Sequence, residues 1–393
     1  MGSKLPSNGY GLEDTLYDSL VDRLYGFEEY YHGNETHHDD AVFVSQEIDK
    51  IFDNVPMEES YRNAIIGWLI SFNALQRKLN TACITVKITN DCQLKCKHCY
   101  QQELEGKKYM TFEEFVFLYN KHLRVANSFP VPADPVRDIV FEGGEATLNK
   151  DLVKMVQFVN SKGVGVTLLT NGIYIYGELL QVLKHPKNRV QVSIDGFEST
   201  HDFIRGKGTF KKSLRTIELL KNNGISVYCN FVANDKNYKE FPRLKQFFNG
   251  MSIPLLCMLY TQQNTNVIKS LGKEEFEYVF PYLNRNTMNH AIGTPVCNEG
   301  MTSSITEYGD FVSCRRIMNK DFYSITNYFQ DTDEESVVKI KKYAIRSRSV
   351  PVYCFPCKKV HTCLGGMLCT RFRKDNKFNM EDEYCHILNK AEF

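Results

Sequence analysis

Short runs of alternating apolar and polar residues recur through the middle of the chain, and amphipathic helical patterns separate them. Alternation over four to eight residues is typical of β-strands, whereas apolar positions three and four apart are typical of helices. The regular succession of strand and helix predicts a parallel sheet with right-handed crossovers. The predicted strands lie at 84–89, 138–142, 165–170, 189–194, 225–231 and 253–259.

Two helices are specified more sharply than the others. The segment 210–222 has helical periodicity, and Thr111-Phe-Glu-Glu114 is a capping box in front of another apolar pattern. Six strand–helix units, fewer than the eight of a closed barrel, predict a partial (β/α)6 TIM-like barrel that is open on one side. Function is then expected at the carboxyl ends of its strands. We predict a mostly helical N-terminal extension at 1–80, the partial barrel at 81–265, and a linker with a C-terminal domain at 266–393.

Composition excludes several classes of function. The 393 residues are 42% hydrophobic and 24% charged, as in ordinary globular proteins. No apolar run is long enough to cross a membrane, and the N-terminus lacks a signal-peptide core, so we expect a cytoplasmic protein without a membrane partner. The net charge of +1 conceals an acidic segment at 1–60, with 14 acidic and 3 basic residues. No dense Lys/Arg stripe with interleaved aromatics occurs, which argues against a nucleic-acid partner.

The chemistry begins directly after the first predicted strand, in Asp91-Cys-Gln-Leu-Lys-Cys-Lys-His-Cys-Tyr100. Its three thiols, Cys92, Cys96 and Cys99, have the spacing C-x3-C-x2-C. A structural zinc or a fully protein-bound 4Fe–4S cluster takes four ligands. Three thiolates on a cube therefore keep one iron open for a non-protein ligand. A zinc site with a distant fourth ligand, or three unrelated core cysteines, remains an alternative at this point.

This spacing resembles the signature of the radical S-adenosylmethionine (SAM) enzymes. The resemblance implies a 4Fe–4S cluster on Cys92, Cys96 and Cys99, whose open iron takes the amino and carboxylate groups of SAM. It further implies reductive cleavage of SAM to a 5′-deoxyadenosyl radical, which abstracts hydrogen from the substrate.

Two later segments strengthen the resemblance. Phe141-Glu-Gly-Gly-Glu-Ala146 is similar to the family's GGEP motif, with Ala146 in place of proline, and Ser193-Ile-Asp-Gly196 precedes an arginine as in the family. By that likeness the GGE segment holds the SAM amino group, and the serine and aspartate meet its ribose or carboxylate. The arginine pairs with the carboxylate, and the main chain before the third thiol meets adenine. The implied residues are Gly143, Gly144, Glu145, Ser193, Asp195, Arg205 and His98.

Seven further cysteines near the C-terminus exceed one four-ligand site and predict two metal centres, with zinc as an alternative for one of them. Their arrangement resembles the SPASM domain of radical SAM enzymes, although five residues, instead of the usual three, separate Cys363 from Cys369. The resemblance implies two auxiliary 4Fe–4S clusters. One is held by Cys354, Cys357, Cys363 and Cys385, and the other by Cys297, Cys314 and Cys369 with an unassigned fourth ligand.

Three cysteines, Cys83, Cys229 and Cys257, lie in predicted strands and are expected to be core residues.

SPASM enzymes mostly modify peptides or proteins. The resemblance therefore predicts a maturase that closes a thioether or carbon–carbon crosslink in a ribosomally made precursor peptide, with flavodoxin or ferredoxin as electron donor. Sulfatase-maturing members carry an Asp after the cysteine that corresponds to Cys314, whereas Arg315 stands here. The catalytic base is therefore unassigned. A peptide epimerase, a small-molecule or cofactor-maturing oxidoreductase, and a non-catalytic electron carrier are the alternatives.

Overall fold

A computed structural model describes residues 82–99, 106–129, 135–260, 267–282, 303–312 and 324–347. The predicted N-terminal extension and the seven C-terminal cysteines lie outside the described residues. None of the helices within the described ranges combines the length and the apolar character that a membrane crossing requires.

The predicted strands are present, and they pair in parallel in the order β6-β5-β4-β3-β2-β1. The strands predicted at 138–142 and 165–170 agree with the structure at both ends, and the first strand ends two residues earlier than predicted. The bounds are β1 Cys83–Lys87, β2 Asp138–Glu142, β3 Gly165–Thr170, β4 Arg189–Ser193, β5 Ser226–Ala233 and β6 Leu255–Leu259.

Three short strands that the sequence pattern did not predict extend the sheet beyond β1. They are β7 Ser303–Ile305, which is parallel to β1, and β8 Asp310–Val312 and β9 Thr326–Asn327, which are antiparallel additions. Strands of two or three residues are too short to show alternation. The beginning of the predicted C-terminal domain is thus part of the barrel sheet.

Helices separate the strands as predicted. The capping box is confirmed, because the backbone N–H of Glu114 donates to the Thr111 hydroxyl at 3.1 Å and the Glu114 carboxylate accepts from the Thr111 N–H at 2.7 Å. The bounds are α1 Phe112–Asn127, α2 Leu152–Ser161, α3 Gly177–Leu183, α4 Glu198–Arg205, α5 Thr209–Asn222, α6 Phe241–Gly250, α7 Lys273–Val279 and α8 Asp333–Ser347.

The two faces of the sheet differ in chemistry. Ile84 and Val86 of β1 and Ile88 just after it pack with helix residues in one hydrophobic core. The alternate residue Lys87 therefore faces the other side of the sheet, which is the inside of the partial barrel. Register places Glu142 of β2 beside Lys87, and both are buried. The inside of the barrel consequently contains buried charged groups near the carboxyl end of the sheet.

The β8–β9 segment is fixed to the barrel through α1. The His122 ring lies 2.9 Å from the Tyr328 hydroxyl and stacks on Phe311 of β8. Arg124 pairs with Asp333 of α8 at 2.8 Å. Burial lowers the pKa of His122 to about 3, so this histidine is a neutral packing group at neutral pH.

The prediction that Cys229 and Cys257 are core residues is confirmed, because both are buried in β5 and β6. Cys83, at the start of β1, is half-buried.

Candidate functional site

The three-thiol loop follows β1 at the carboxyl end of the sheet, where the barrel rule places function. The Leu94 N–H lies 3.4 Å from the Cys92 sulfur, and the Cys99 N–H donates to the Cys96 carbonyl at 3.0 Å. Burial raises the pKa of Cys92 to about 11 and that of Cys96 to about 12. Such thiols are neutral at neutral pH unless a bound metal centre supplies positive charge, which favours the thiolate.

The three thiols of the loop lie near one another. Each of the thiols at 92, 96 and 99 lies within electrostatic range of another. The thiolate ligands of an iron–sulfur cluster bind separate irons, and the loop offers three such ligands.

The Gly143–Gly144 segment after β2 lies directly against the start of the cysteine loop. The Gly144 N–H donates to the Thr89 carbonyl at 2.9 Å. A Cβ on Gly144 would lie 2.7 Å from the Asn90 carbonyl oxygen and closer still to that of Asp91, so a side chain would displace the loop. The glycine pair thus lets the loop after β2 pack directly against the backbone of the cysteine loop. The role of Gly143 and Gly144 in SAM binding stays a prediction.

Glu145 is turned into the protein. Its carboxylate is buried and accepts hydrogen bonds from the Thr170 hydroxyl at 2.6 Å, the Thr147 hydroxyl at 2.8 Å and the Asn171 N–H at 2.8 Å. Burial raises the pKa of Glu145, and these hydrogen bonds oppose the increase. In the structure Glu145 ties the loop after β2 to the end of β3. Its role at the SAM amino group stays a prediction.

Asp195, two residues beyond β4, joins four elements of the site. Its buried carboxylate lies 3.1 Å from His98 Nε2 and 2.5 Å from Arg205 Nε, and it accepts from the Val232 N–H of β5 at 3.1 Å. Burial alone would raise the pKa of Asp195, but Arg205 and His98 outweigh burial and hold that pKa well below its usual range. Both carboxylate oxygens are therefore engaged within the protein.

Arg205 ends α4 beside the thiols, and its positive charge lowers the pKa of both Cys92 and Cys96 against the effect of burial. The cysteine loop is attached to the same helix, because the Lys97 N–H donates to the Ile204 carbonyl at 2.8 Å. Arg205 therefore lies beside the predicted cluster ligands with Asp195 as its counterion. Its role at the SAM carboxylate stays a prediction.

The His98 side chain is 9% exposed and reaches Asp195. Its other ring nitrogen, Nδ1, is buried and has no hydrogen-bonding partner within the described ranges. The only sign of the His98–Asp195 contact in the sequence is that a basic residue in the cysteine loop and an acidic residue after β4 could pair. The sequence alone could not predict that they do. The predicted contact of the His98 main chain with adenine stays a prediction.

The structure thus gathers the predicted residues of β1, β2 and β4 at one end of the sheet. Ser193 is the last residue of β4, is half-buried, and stays a prediction as a SAM contact. The predicted ligands of the auxiliary clusters lie outside the described residues.

Comparisons with known proteins agree with this geometry. Residues 86–248, from β1 into α6, match the family model described as the Radical SAM superfamily. The chain is 31% identical over 217 residues to the Fe-coproporphyrin III synthase of Methanosarcina barkeri, over 53% of this chain and 52% of that protein. It is 34% identical over 191 residues to the sporulation killing factor maturation protein SkfB of Bacillus subtilis, which covers 47% of this chain and 44% of that protein. The chain spans about half the length of these curated relatives.

Solved structures support the partial barrel. The chain resembles native anSMEcpe with bound AdoMet and Cp18Cys peptide, with a TM-score of 0.61 at 19% identity, over 77% of this chain and 93% of that chain. The fold is therefore shared at low sequence identity. Together with the three-thiol loop and the adjoining glycine pair, the match to the family model identifies a Radical SAM domain at residues 86–248, and the structural likeness supports its fold.

Proposed function

We propose that this protein is a radical SAM maturase that closes a thioether or carbon–carbon crosslink in a ribosomally made precursor peptide. The observation that carries the proposal is the juxtaposition of a three-thiol loop with a glycine pair and a buried arginine at the carboxyl end of the sheet. The relative SkfB is named as a maturation protein, and the similar structure of anSMEcpe contains a peptide; both favour a peptide substrate.

The match of residues 86–248 to the Radical SAM family model implies a 4Fe–4S cluster and SAM as cofactors. Cys92, Cys96 and Cys99 would hold the cluster, and these cofactors supply one-electron chemistry that removes a hydrogen atom from the substrate. The protein's own contribution is positional. Asp195 fixes Arg205 beside the thiols, and Gly144 presents main-chain groups to the same space.

The C-terminal cysteines would hold two auxiliary 4Fe–4S clusters in the sets Cys354, Cys357, Cys363 and Cys385, and Cys297, Cys314 and Cys369. Their spacing supports this assignment. The strand pairing is consistent with this assignment. Strand β7 pairs with β1 of the barrel, and β8, which follows β7, ends two residues before Cys314. The first part of the C-terminal region therefore adjoins the barrel. A flavodoxin or ferredoxin would supply electrons.

The decisive experiment is anaerobic release of 5′-deoxyadenosine from SAM after cluster reconstitution and reduction. Wild-type protein should release it, and Cys92→Ala should not, with a loss of about four irons because one cube is missing. Cys257→Ala removes a buried core cysteine instead and should retain release. Release by Cys92→Ala, or zinc in place of iron, would contradict the proposal.

A small-molecule or cofactor-maturing oxidoreductase is the second candidate, because the first of the two relatives acts, by its name, in Fe-coproporphyrin III synthesis. Mass spectrometry separates the two functions. A crosslinked peptide loses two hydrogens per crosslink, whereas a small-molecule enzyme leaves every candidate peptide at its original mass. A peptide epimerase would leave the peptide mass unchanged in ordinary water. In heavy water the epimerised peptide would gain deuterium from the solvent.

A further inference from the structure

A buried ion pair inside the barrel has no role in the cofactor site described above. Lys87 Nζ, at the end of β1, lies 3.2 Å from Glu307 Oε1 in the turn between β7 and β8. The side chains are 6% and 0% exposed. Apart from Lys87 and a contact with its own backbone N–H, the Glu307 carboxylate has no hydrogen-bonding partner within the described residues.

This pair is poorly explained as a stabilising contact. Removing a carboxylate from water is costly unless hydrogen bonds satisfy its remaining lone pairs, and a buried ion pair is often no better for stability than apolar residues of the same size. Carboxylates in such surroundings are concentrated at functional sites. Glu307 therefore requires a functional explanation.

The pair lies at the end of the barrel that holds the cysteine loop. Lys87 is on the inner face, because Val86 and Ile88 on either side of it pack into the outer core. The Asn90 side chain, two residues before Cys92, donates to the hydroxyl of Tyr308 at 3.2 Å, and Tyr308 adjoins Glu307. The Glu307–Lys87 pair is thus connected through Tyr308 and Asn90 to the start of the cysteine loop.

The proposed crosslinking reaction requires a proton acceptor. Joining a C–H carbon to an X–H group, where X is sulfur or carbon, removes two hydrogens. One leaves as a hydrogen atom. The second hydrogen leaves the X–H group as a proton while the C–X bond forms, and one electron is released. An oxidised iron–sulfur cluster on the C-terminal cysteines would accept that electron.

We propose that Glu307 is the acceptor of this proton, with Lys87 as the residue that positions the carboxylate. The inference rests on the proposed peptide-maturing function and supplies the base that the missing Asp after Cys314 left unassigned. Proton transfer converts the Glu307 carboxylate to the acid and leaves the Lys87 ammonium beside Glu142, its neighbour in register on β2.

The groups around Glu307 act in opposite directions on its pKa, with a net increase. Burial raises its pKa, Lys87 of β1 opposes the increase, and Asp310 of β8 adds to it. A carboxyl group with a raised pKa accepts protons more effectively than an exposed one. Peptide maturation should therefore decline as the pH falls through this raised pKa.

The test compares two products of the same reaction. In Glu307→Gln, crosslinked peptide should fall by about 100-fold or more, as for loss of a general base, while 5′-deoxyadenosine release continues without maturation. Glu307→Asp should restore part of the maturation. The control Glu334→Gln removes an exposed carboxylate of α8 and should mature peptide at the wild-type rate.

A second variant separates chemistry from folding. Lys87→Met with Glu307→Leu replaces the pair by apolar groups and should unfold at the wild-type temperature or above, yet should not mature peptide. Wild-type maturation with an unchanged pH profile in Glu307→Gln, or in this double variant, would overturn the role of Glu307. If wild-type protein releases no 5′-deoxyadenosine, the proposed function itself is refuted, and the role of Glu307 falls with it.

Discussion

Asp195→Asn tests whether one buried carboxylate organises the candidate cofactor site. The substitution keeps the size of the side chain but removes the charge that compensates Arg205 and holds His98. Arg205 is then buried without its counterion, because its side chain is only 10% exposed. Breaking a buried pair in this way costs about 3–5 kcal/mol. In a barrel of this size the unfolding midpoint should fall by roughly 6 to 20 °C.

The assay is thermal unfolding of the metal-free protein, followed by iron content after reconstitution. Lys211→Met is the matched control, because it removes the exposed pair between Lys211 and Glu198 close to the same helix, and should leave the midpoint unchanged. Asp195→Asn should lose both stability and cluster. An Asp195→Asn protein with the wild-type midpoint and full iron content would refute the organising role of this carboxylate.

The pH dependence of this difference follows from the lowered pKa of Asp195. A carboxyl group whose folded pKa is depressed contributes its full stability above its unfolded pKa of about 3.9. That contribution is lost as the pH falls towards the folded value. The gap between wild type and Asp195→Asn should therefore be constant near neutral pH and should narrow in strong acid.

Two further variants test single contacts. Gly144→Ala should lower cluster incorporation while the helix content stays constant in circular dichroism, because a Cβ would collide with the Asp91 carbonyl; full incorporation would contradict this. Acidification should lower the unfolding midpoint of the wild type. Burial lowers the pKa of His122 from 6.5 to about 3. Below about pH 6.5 the unfolded chain therefore binds a proton that the folded protein does not, which favours unfolding. In His122→Phe this dependence should weaken, and an identical dependence in both proteins would argue against a buried neutral histidine.

The barrel strands could be predicted because each strand buries one or both of its faces. Burial requires apolar residues at alternate or successive positions of the same strand, and this pattern is visible in the sequence. β2 and β3 show this well, since their predicted bounds match the structure. The strands β7 to β9 could not be predicted, because two or three residues carry no pattern and their pairing depends on β1. The contact between His98 and Asp195 could not be predicted for the same reason, because Asp195 belongs to a different strand–helix unit.

The sequence by itself determined which thiols lie together, since Cys92, Cys96 and Cys99 fall within eight residues of one loop. Their predicted role as cluster ligands came from the resemblance to a known family. The tertiary structure alone decided which charges meet. Asp195 joins His98 and Arg205, and Lys87 meets Glu307, only because parallel register and short loops bring the carboxyl ends of distant strands together. Ion pairs of this kind leave no periodic trace along a chain, because their energy depends on distance and burial in the folded state.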